Sequence, residues 1–167
     1  MSVYLVGAGP GAADLLTLRA VRLLGEAGIV FHDALVPDEI LAFAPQAQKV
    51  AVGKRCGRHS TAQRLINKRL ADAAQAHAVV VLLKGGDPML FGRAHEEIRY
   101  LLSRGIRVEV VPGITAALAA AAQAGVSLTE RGVARSVAFV TPRKGVAADP
   151  NYALERAVLR IAKAHRS

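Results

Sequence analysis

Cysteine and aromatic residues are scarce in this chain. Cys56 is the only cysteine among 167 residues, tryptophan is absent, and aromatic residues make up 4% of the total. A single cysteine cannot form a disulfide within the chain or supply a cysteine-based metal site, so we expect no metal and a reducing, cytoplasmic setting. With so few aromatic side chains to stack on bases, we also expect no nucleic acid partner.

Long hydrophobic runs are also missing. No apolar stretch approaches the roughly 20 residues that a helix needs to cross a bilayer. Residues 1–6 carry no basic segment and lead directly into glycines, which predicts a strand rather than a signal peptide. We therefore expect a soluble protein without a membrane partner.

Positive charge and apolar residues are abundant instead. The 22 Lys and Arg residues exceed the 13 Asp and Glu residues, for a net charge of +9, and 52% of the residues are hydrophobic. That hydrophobic content suits one globular domain with a substantial core. The excess of positive charge favours an acidic ligand such as a polycarboxylate or a phosphate.

Apolar strand patterns alternate with helical patterns along most of the chain. Strands are predicted at residues 3–6, 29–33, 49–52, 78–83 and 108–111, and helices at residues 15–26, 35–44, 61–76, 94–103 and 116–124. This alternation predicts an α/β fold with a mostly parallel sheet and helices on both faces. Right-handed connections would gather the loops that follow the strands at one edge, where Asp33, Lys54, Asp87 and Thr115 can converge.

The pattern changes after Gly125. A further strand is predicted at residues 136–140, followed by a linker at 141–145 and an amphipathic helix at 152–164. One strand and one helix cannot form an independent domain. We therefore predict an N-terminal α/β lobe at residues 1–125, and a linker with the truncated start of a second α/β lobe at residues 126–167.

The first glycine loop allows two interpretations. The spacing Gly7-x-Gly9-x-x-Ala12 fits a loose dinucleotide fingerprint, and Asp33 lies where that fingerprint places its ribose-binding acid. Pro10, however, removes an amide donor from the loop that would hold a pyrophosphate. An NAD-binding oxidoreductase is thus one alternative, and a ligand without phosphates is the other.

The later loops favour the second interpretation, because together with the first they resemble the tetrapyrrole methylase family. The similar segments lie at residues 5–11, 15–18, 33–36, 52–55, 83–88, 91–93, 96–97, 110–116 and 128–129. The resemblance implies C-methylation of uroporphyrinogen III to precorrin-2, with S-adenosylmethionine as methyl donor, in sirohaem or cobalamin synthesis. It also implies a homodimer.

The resemblance assigns roles to individual positions. It implies that Asp33 accepts a proton and that Lys54 donates one. Arg55, Arg58 and Arg93 are expected to bind the carboxylates of the tetrapyrrole. The positions expected to bind the cofactor are Pro10, Gly85, Gly86, Asp87, Leu90, Thr115 and Ala116.

Family members continue into a second lobe that closes over the cofactor, whereas this sequence carries only the predicted start of one. We therefore expect this polypeptide to bind S-adenosylmethionine weakly and to turn over slowly. A non-catalytic remnant or assembly partner of the family is the alternative.

Overall fold

Five parallel strands form the centre of the fold. The computed structural model describes residues 1–52 and 59–140. The strands are β1 (Ser2–Gly7), β2 (Ile29–His32), β3 (Gln48–Ala51), β4 (Val79–Lys84) and β5 (Arg107–Val111), in the order β3-β2-β4-β1-β5. Each of the four neighbouring pairs is parallel. The predicted parallel α/β sheet is confirmed.

Helices cover both faces of the sheet. The covering helices are α1 (Leu18–Glu26), α2 (Asp38–Leu41), α3 (His59–Ala76) and α4 (Ala94–Leu102), and a further helix, α5 (Ala116–Gln123), has no buried residue. Because successive strand residues point to opposite faces, Val6 and Leu83 pack in one core with α1 and α2, whereas Leu5 and Leu82 pack in another with α3 and α4. Burial on both faces explains why β4 is a continuous apolar run.

The beginning of α1 differs from the prediction. The sequence predicts that the helix begins at residue 15, but it begins at Leu18, and Thr17 accepts a hydrogen bond from Ala20 N at 3.2 Å. Ala13–Leu15 instead form one 3-10 turn. A threonine hydroxyl at the N-cap satisfies a backbone N–H that the helix leaves unpaired, and this fixes the later start.

The predicted helix at residues 35–44 is also shorter in the structure. It is reduced to Asp38–Leu41, with Pro37 in an extended conformation at its N-cap. The backbone N–H of Leu35 donates to the side chain of Asp33, a local bond that competes with helical pairing.

Two compact units divide the chain, Met1–Val126 and the part that begins at Ser127. In the second unit, residues 127–140 are described, and Glu130 and Ala134 form an isolated antiparallel bridge. The strand predicted at residues 136–140 is wrong, because the described structure has neither a strand nor a β-bridge at these residues. The predicted linker at 141–145 and helix at 152–164 lie outside the described residues.

No helix in the described ranges is both long enough and apolar enough to span a bilayer.

Candidate functional site

The loops that follow β1 and β4 are joined at the carboxyl edge of the sheet. Gly9 N donates to Gly86 O at 3.1 Å, and Gly86 N donates to Gly9 O at 2.7 Å. Ala8 N also donates to the carbonyl of Lys84 at 2.8 Å. The two glycine-rich segments thus form one backbone-lined rim at the edge where ligands bind in open α/β sheets.

Three glycines bring the ends of β1, β4 and β5 into direct backbone contact. A Cβ atom on Gly7 would lie 2.6 Å from both N and Cα of Gly113 and 2.8 Å from the carbonyl oxygen of Gly86. A Cβ on Gly113 would collide with the same carbonyl oxygen and lie 2.8 Å from Cα of Gly7. Only glycine fits at positions 7 and 113, which accounts for two of the glycines in these separate loops.

Asp87 connects the β4 loop to the β5 loop. Its Oδ1 accepts a hydrogen bond from Met89 N at 2.8 Å, and its Oδ2 accepts one from Gly113 N at 3.0 Å. Both carboxylate oxygens therefore hold the backbone of the rim in place. Asp87 was predicted as a cofactor contact, and the structure identifies it as a residue that shapes the rim.

Asp33 occupies the corresponding position between the β2 and β4 loops. Its Oδ1 accepts from Leu35 N at 2.8 Å and its Oδ2 accepts from Gly85 N at 3.0 Å. Because a carboxylate oxygen has two lone pairs, each oxygen can accept one further hydrogen bond. The half-buried carboxylate is thus fixed beside the glycine pair of the β4 loop and can accept further hydrogen bonds.

Gly86 lies next to the start of α5. Gly86 has φ +69, and a Cβ there would lie 3.8 Å from Cα of Thr115 and 4.0 Å from N of Ala116. The Thr115 side chain caps α5 by accepting from Ala117 N at 3.3 Å. The structure therefore gathers the predicted cofactor positions along one rim; these are Pro10, Gly85, Gly86, Asp87, Leu90, Thr115 and Ala116. Their binding roles stay predictions.

A cleft of about 420 Å³ opens beside β4, next to Asp33. It is lined by the end of β4, by α3 and α4, by the segments that follow β2 and β3, and by the loop at residues 91–93. The lining residues are Asp33, Ala34, Leu35, Val52, Gln63, Ile66, Leu82, Leu83, Lys84, Phe91, Gly92, Arg93 and Glu97.

Arg93 is predicted to bind substrate. It lines this cleft and is the N-cap residue of α4. Its Nε and one terminal nitrogen each lie 2.7 Å from a carboxylate oxygen of Glu96. This two-pronged bond raises the pKa of Arg93 and lowers the pKa of Glu96. A guanidinium has five N–H donors, so Arg93 can hold Glu96 and still bind a ligand carboxylate.

The remaining predicted cations, Lys54, Arg55 and Arg58, lie outside the described residues. Within the described ranges, no group of three His, Cys, Asp or Glu side chains could hold a metal ion.

Comparison with known proteins decides the family. A family model described as Tetrapyrrole (Corrin/Porphyrin) Methylases matches residues 2–164. The chain belongs to this family. The S-adenosyl-L-methionine-dependent uroporphyrinogen III methyltransferase of Arabidopsis thaliana is 51% identical over 158 residues, which cover 93% of this chain and 42% of that protein. The uroporphyrinogen-III C-methyltransferase of Synechocystis sp. is 54% identical over 140 residues, covering 83% of this chain and 53% of that protein.

A solved structure of the family also shares this fold. It is uroporphyrin-III C-methyl transferase from Thermus thermophilus in complex with S-adenyl homocysteine, with a TM-score of 0.69 and 50% identity over 81% of this chain and 53% of that one. The chain thus spans about half or less of the length of the relatives it matches.

Membership of the tetrapyrrole methylases favours the second interpretation of the first glycine loop, and the local structure gives a physical reason. A dinucleotide fingerprint places its glycines directly before a helix whose N-terminus holds the pyrophosphate. Here the loop leads into the 3-10 turn Ala13–Leu15, and α1 begins only at Leu18.

Three polar residues that line the cleft, Lys84, Glu97 and Gln63, are absent from the predicted site. Lys84 ends β4, and its ammonium contacts both carboxylate oxygens of Glu97, which also accepts from the Gln63 amide. One signal in the sequence was available, since a lysine that directly follows a buried apolar strand needs a partner close by.

Proposed function

We propose that this chain catalyses C-methylation of uroporphyrinogen III, with S-adenosylmethionine as the methyl donor and precorrin-2 as the product. The observation that carries the proposal is the hydrogen bond from Gly85 N to Asp33 Oδ2, at 3.0 Å. It fixes an acid beside the glycine rim, at the sheet edge where an α/β fold binds ligands. Relatives about 50% identical to this chain are named for this reaction.

The rim suits the cofactor. Gly86 and the first turn of α5 lie next to each other, and a Cβ at Gly86 would contact that turn at 3.8–4.0 Å. Backbone carbonyl and N–H groups at this rim can bind the amino acid and adenosine parts of the cofactor, and oxygen dipoles tolerate a sulfonium. When bound, S-adenosylmethionine supplies an electrophilic methyl group. The residues proposed to hold it are Pro10, Gly85, Gly86, Asp87, Leu90, Thr115 and Ala116.

Asp33 is proposed to act on the tetrapyrrole. After a pyrrole carbon gains a methyl group, positive charge develops on the ring and a proton must leave a neighbouring carbon. The Asp33 carboxylate can stabilise that charge and accept the proton, because two backbone N–H groups fix its orientation. Lys54 is proposed to supply a proton.

The proposed substrate carries many carboxylates, and the chain has a net charge of +9. Arg93 lines the cleft next to Asp33, where a carboxylate of the substrate can bind its guanidinium. Arg55 and Arg58 are proposed as further partners on the basis of the family resemblance.

Transfer of an isotope-labelled methyl group from S-adenosylmethionine to uroporphyrinogen III tests the proposal. We expect slow incorporation with the wild-type chain, loss of incorporation with Asp33→Ala, and no change with Asp72→Ala, which removes an exposed carboxylate from α3. No incorporation by the wild-type chain would favour a non-catalytic remnant or assembly partner. Saturable, tight binding of NAD would instead revive the oxidoreductase alternative.

We further propose a cytoplasmic homodimer whose product enters sirohaem or cobalamin synthesis. The apolar helix α5 supports self-association, since none of its residues is buried. Light scattering coupled to gel filtration tests the dimer, and a mass equal to that of one chain at all concentrations would refute it.

A further inference from the structure

A buried ion pair connects the end of β4 to α4. The Lys84 side chain is 12% exposed and that of Glu97 is 4% exposed, and Nζ lies 2.7 Å from Oε2 and 2.9 Å from Oε1. Gln63 Nε2 on α3 donates to Glu97 Oε1 at 3.1 Å and to Asn67 Oδ1 at 3.0 Å. Burying two charges is costly, so a pair retained in this position calls for an explanation beyond stability.

The same ammonium group also binds the loop above the cleft. Lys84 Nζ donates a hydrogen bond to the carbonyl oxygen of Gly92. The residues on either side, Phe91 and Arg93, adopt left-handed backbone conformations with φ 59 and φ 57. Such conformations are unfavourable for residues with side chains and persist where the surroundings enforce them.

The loop presents two groups of different chemistry to the cleft. Phe91 is 61% exposed and supplies an apolar ring, and Arg93 supplies a cation. A tetrapyrrole combines a large apolar ring system with carboxylates at its periphery. Phe91 and Arg93 match these two features, on the flank of β4 where Asp33 lies.

We propose that Lys84 and Glu97 are positioning residues: the buried pair anchors the carbonyl of Gly92, and so holds Phe91 and Arg93 in the conformation that binds the tetrapyrrole. This inference rests on the proposed function and assigns the cleft beside Asp33 to the substrate.

The geometry argues against direct binding of substrate by Lys84. An ammonium has three N–H donors. In the structure these have three acceptors, namely the Gly92 carbonyl and the two oxygens of Glu97. A carboxylate of the substrate would have to displace one of them, whereas Arg93 keeps donors available.

Replacing the whole pair separates positioning from stability. The double variant Lys84→Met/Glu97→Leu leaves no unpaired buried charge, and such replacements are often neutral or stabilising. It also removes the donor that holds Gly92. We expect it to fold, to bind uroporphyrin III about tenfold more weakly or worse, and to keep its affinity for S-adenosylhomocysteine.

A second variant disturbs the loop without removing either charge. A Cβ at Gly92 would lie 2.7 Å from the carbonyl oxygen of Pro88 and 3.0 Å from Cε of Lys84, so Gly92→Ala must displace the loop. The same selective loss of uroporphyrin III binding is expected. Arg22→Met is the matched control, because it removes a cation from the exposed pair with Glu26 and should change neither affinity.

Calorimetric titrations with uroporphyrin III and S-adenosylhomocysteine distinguish the outcomes. Wild-type affinity for uroporphyrin III in either loop variant would overturn the inference and leave the proposed function intact. Equal loss of both affinities would also overturn it, because the pair would then support the fold as a whole. Failure of the wild-type chain to bind either compound would overturn the proposed function and the inference with it.

Discussion

The contact between strand ends predicts that alanine at position 113 destabilises the protein. The backbone of Gly113 is not left-handed, so alanine is sterically allowed there as far as φ is concerned. The added Cβ would nevertheless collide with the carbonyl oxygen of Gly86 and lie 2.8 Å from Cα of Gly7. Both neighbours are backbone atoms of other strand ends, so no side chain can rotate to make room.

The expected magnitude combines two effects. Overpacking of a close-packed site costs about 1–3 kcal/mol, and contact with backbone on two sides places Gly113→Ala near the upper value. Alanine also lowers the conformational entropy of the unfolded chain, and this effect stabilises the folded state by about 0.4–1 kcal/mol. A net loss of about 2 kcal/mol in the free energy of unfolding is therefore expected.

Urea unfolding measures this loss, and Gly25→Ala is the matched control. Gly25 lies within α1, and a Cβ added there would meet open space, so the same substitution should raise stability by up to about 1 kcal/mol. Gly113→Ala should also weaken S-adenosylhomocysteine binding, because the backbone segments of the rim must move apart to accommodate the alanine side chain. A Gly113→Ala protein as stable as wild type, with unchanged affinity, would refute the close contact.

Three further substitutions have defined outcomes. Asp87→Asn leaves one of two backbone N–H groups without its acceptor and should lower the free energy of unfolding by about 1–3 kcal/mol in urea titrations, unlike Asp72→Asn on the surface of α3. Glu96→Gln should lower stability by at most about 1 kcal/mol at pH 7, because the pair with Arg93 is partly exposed. The difference in the free energy of unfolding between wild type and Glu96→Gln should be fully present above the ordinary glutamate pKa of about 4.3, and it should vanish as the pH falls through the lowered pKa of Glu96. A stability difference that grows in acid would contradict the pairing. Asp33→Asn should reduce methyl transfer by about 100-fold or more and change S-adenosylhomocysteine affinity little, and equal loss of both would argue against a proton-accepting role.

The sheet and its functional edge could be predicted because the signals are local. The apolar run of β4 and the glycines that follow it specify a buried strand and a tight turn in consecutive residues. The gathering of the loops at one edge then follows from the right-handed connections between parallel strands, whereas the order of the strands is known only from the structure. Asp33 could be placed at the edge by the same argument.

Other features of the structure depend on contacts between distant residues, which the local sequence pattern does not show. The Glu97 carboxylate pairs with Lys84 and with Gln63, which lie 13 and 34 positions away on other elements. The start of α1 depended on whether Asp14 or Thr17 capped the helix, and both residue types are good caps. Residues 136–140 have an apolar pattern that suits a strand, but a strand forms only where a neighbour pairs with it.

A nuclear magnetic resonance titration of the ¹⁵N-labelled chain with S-adenosylhomocysteine tests most directly whether the glycine rim is the cofactor site, and it detects weak binding as well. We predict saturable shifts of the backbone amides of Gly9, Gly86, Gly113 and Ala116, and little change at the opposite edge of the sheet, near Ser2 and Arg107. Absence of any shift at saturating ligand, or shifts confined to the opposite edge, would contradict the account.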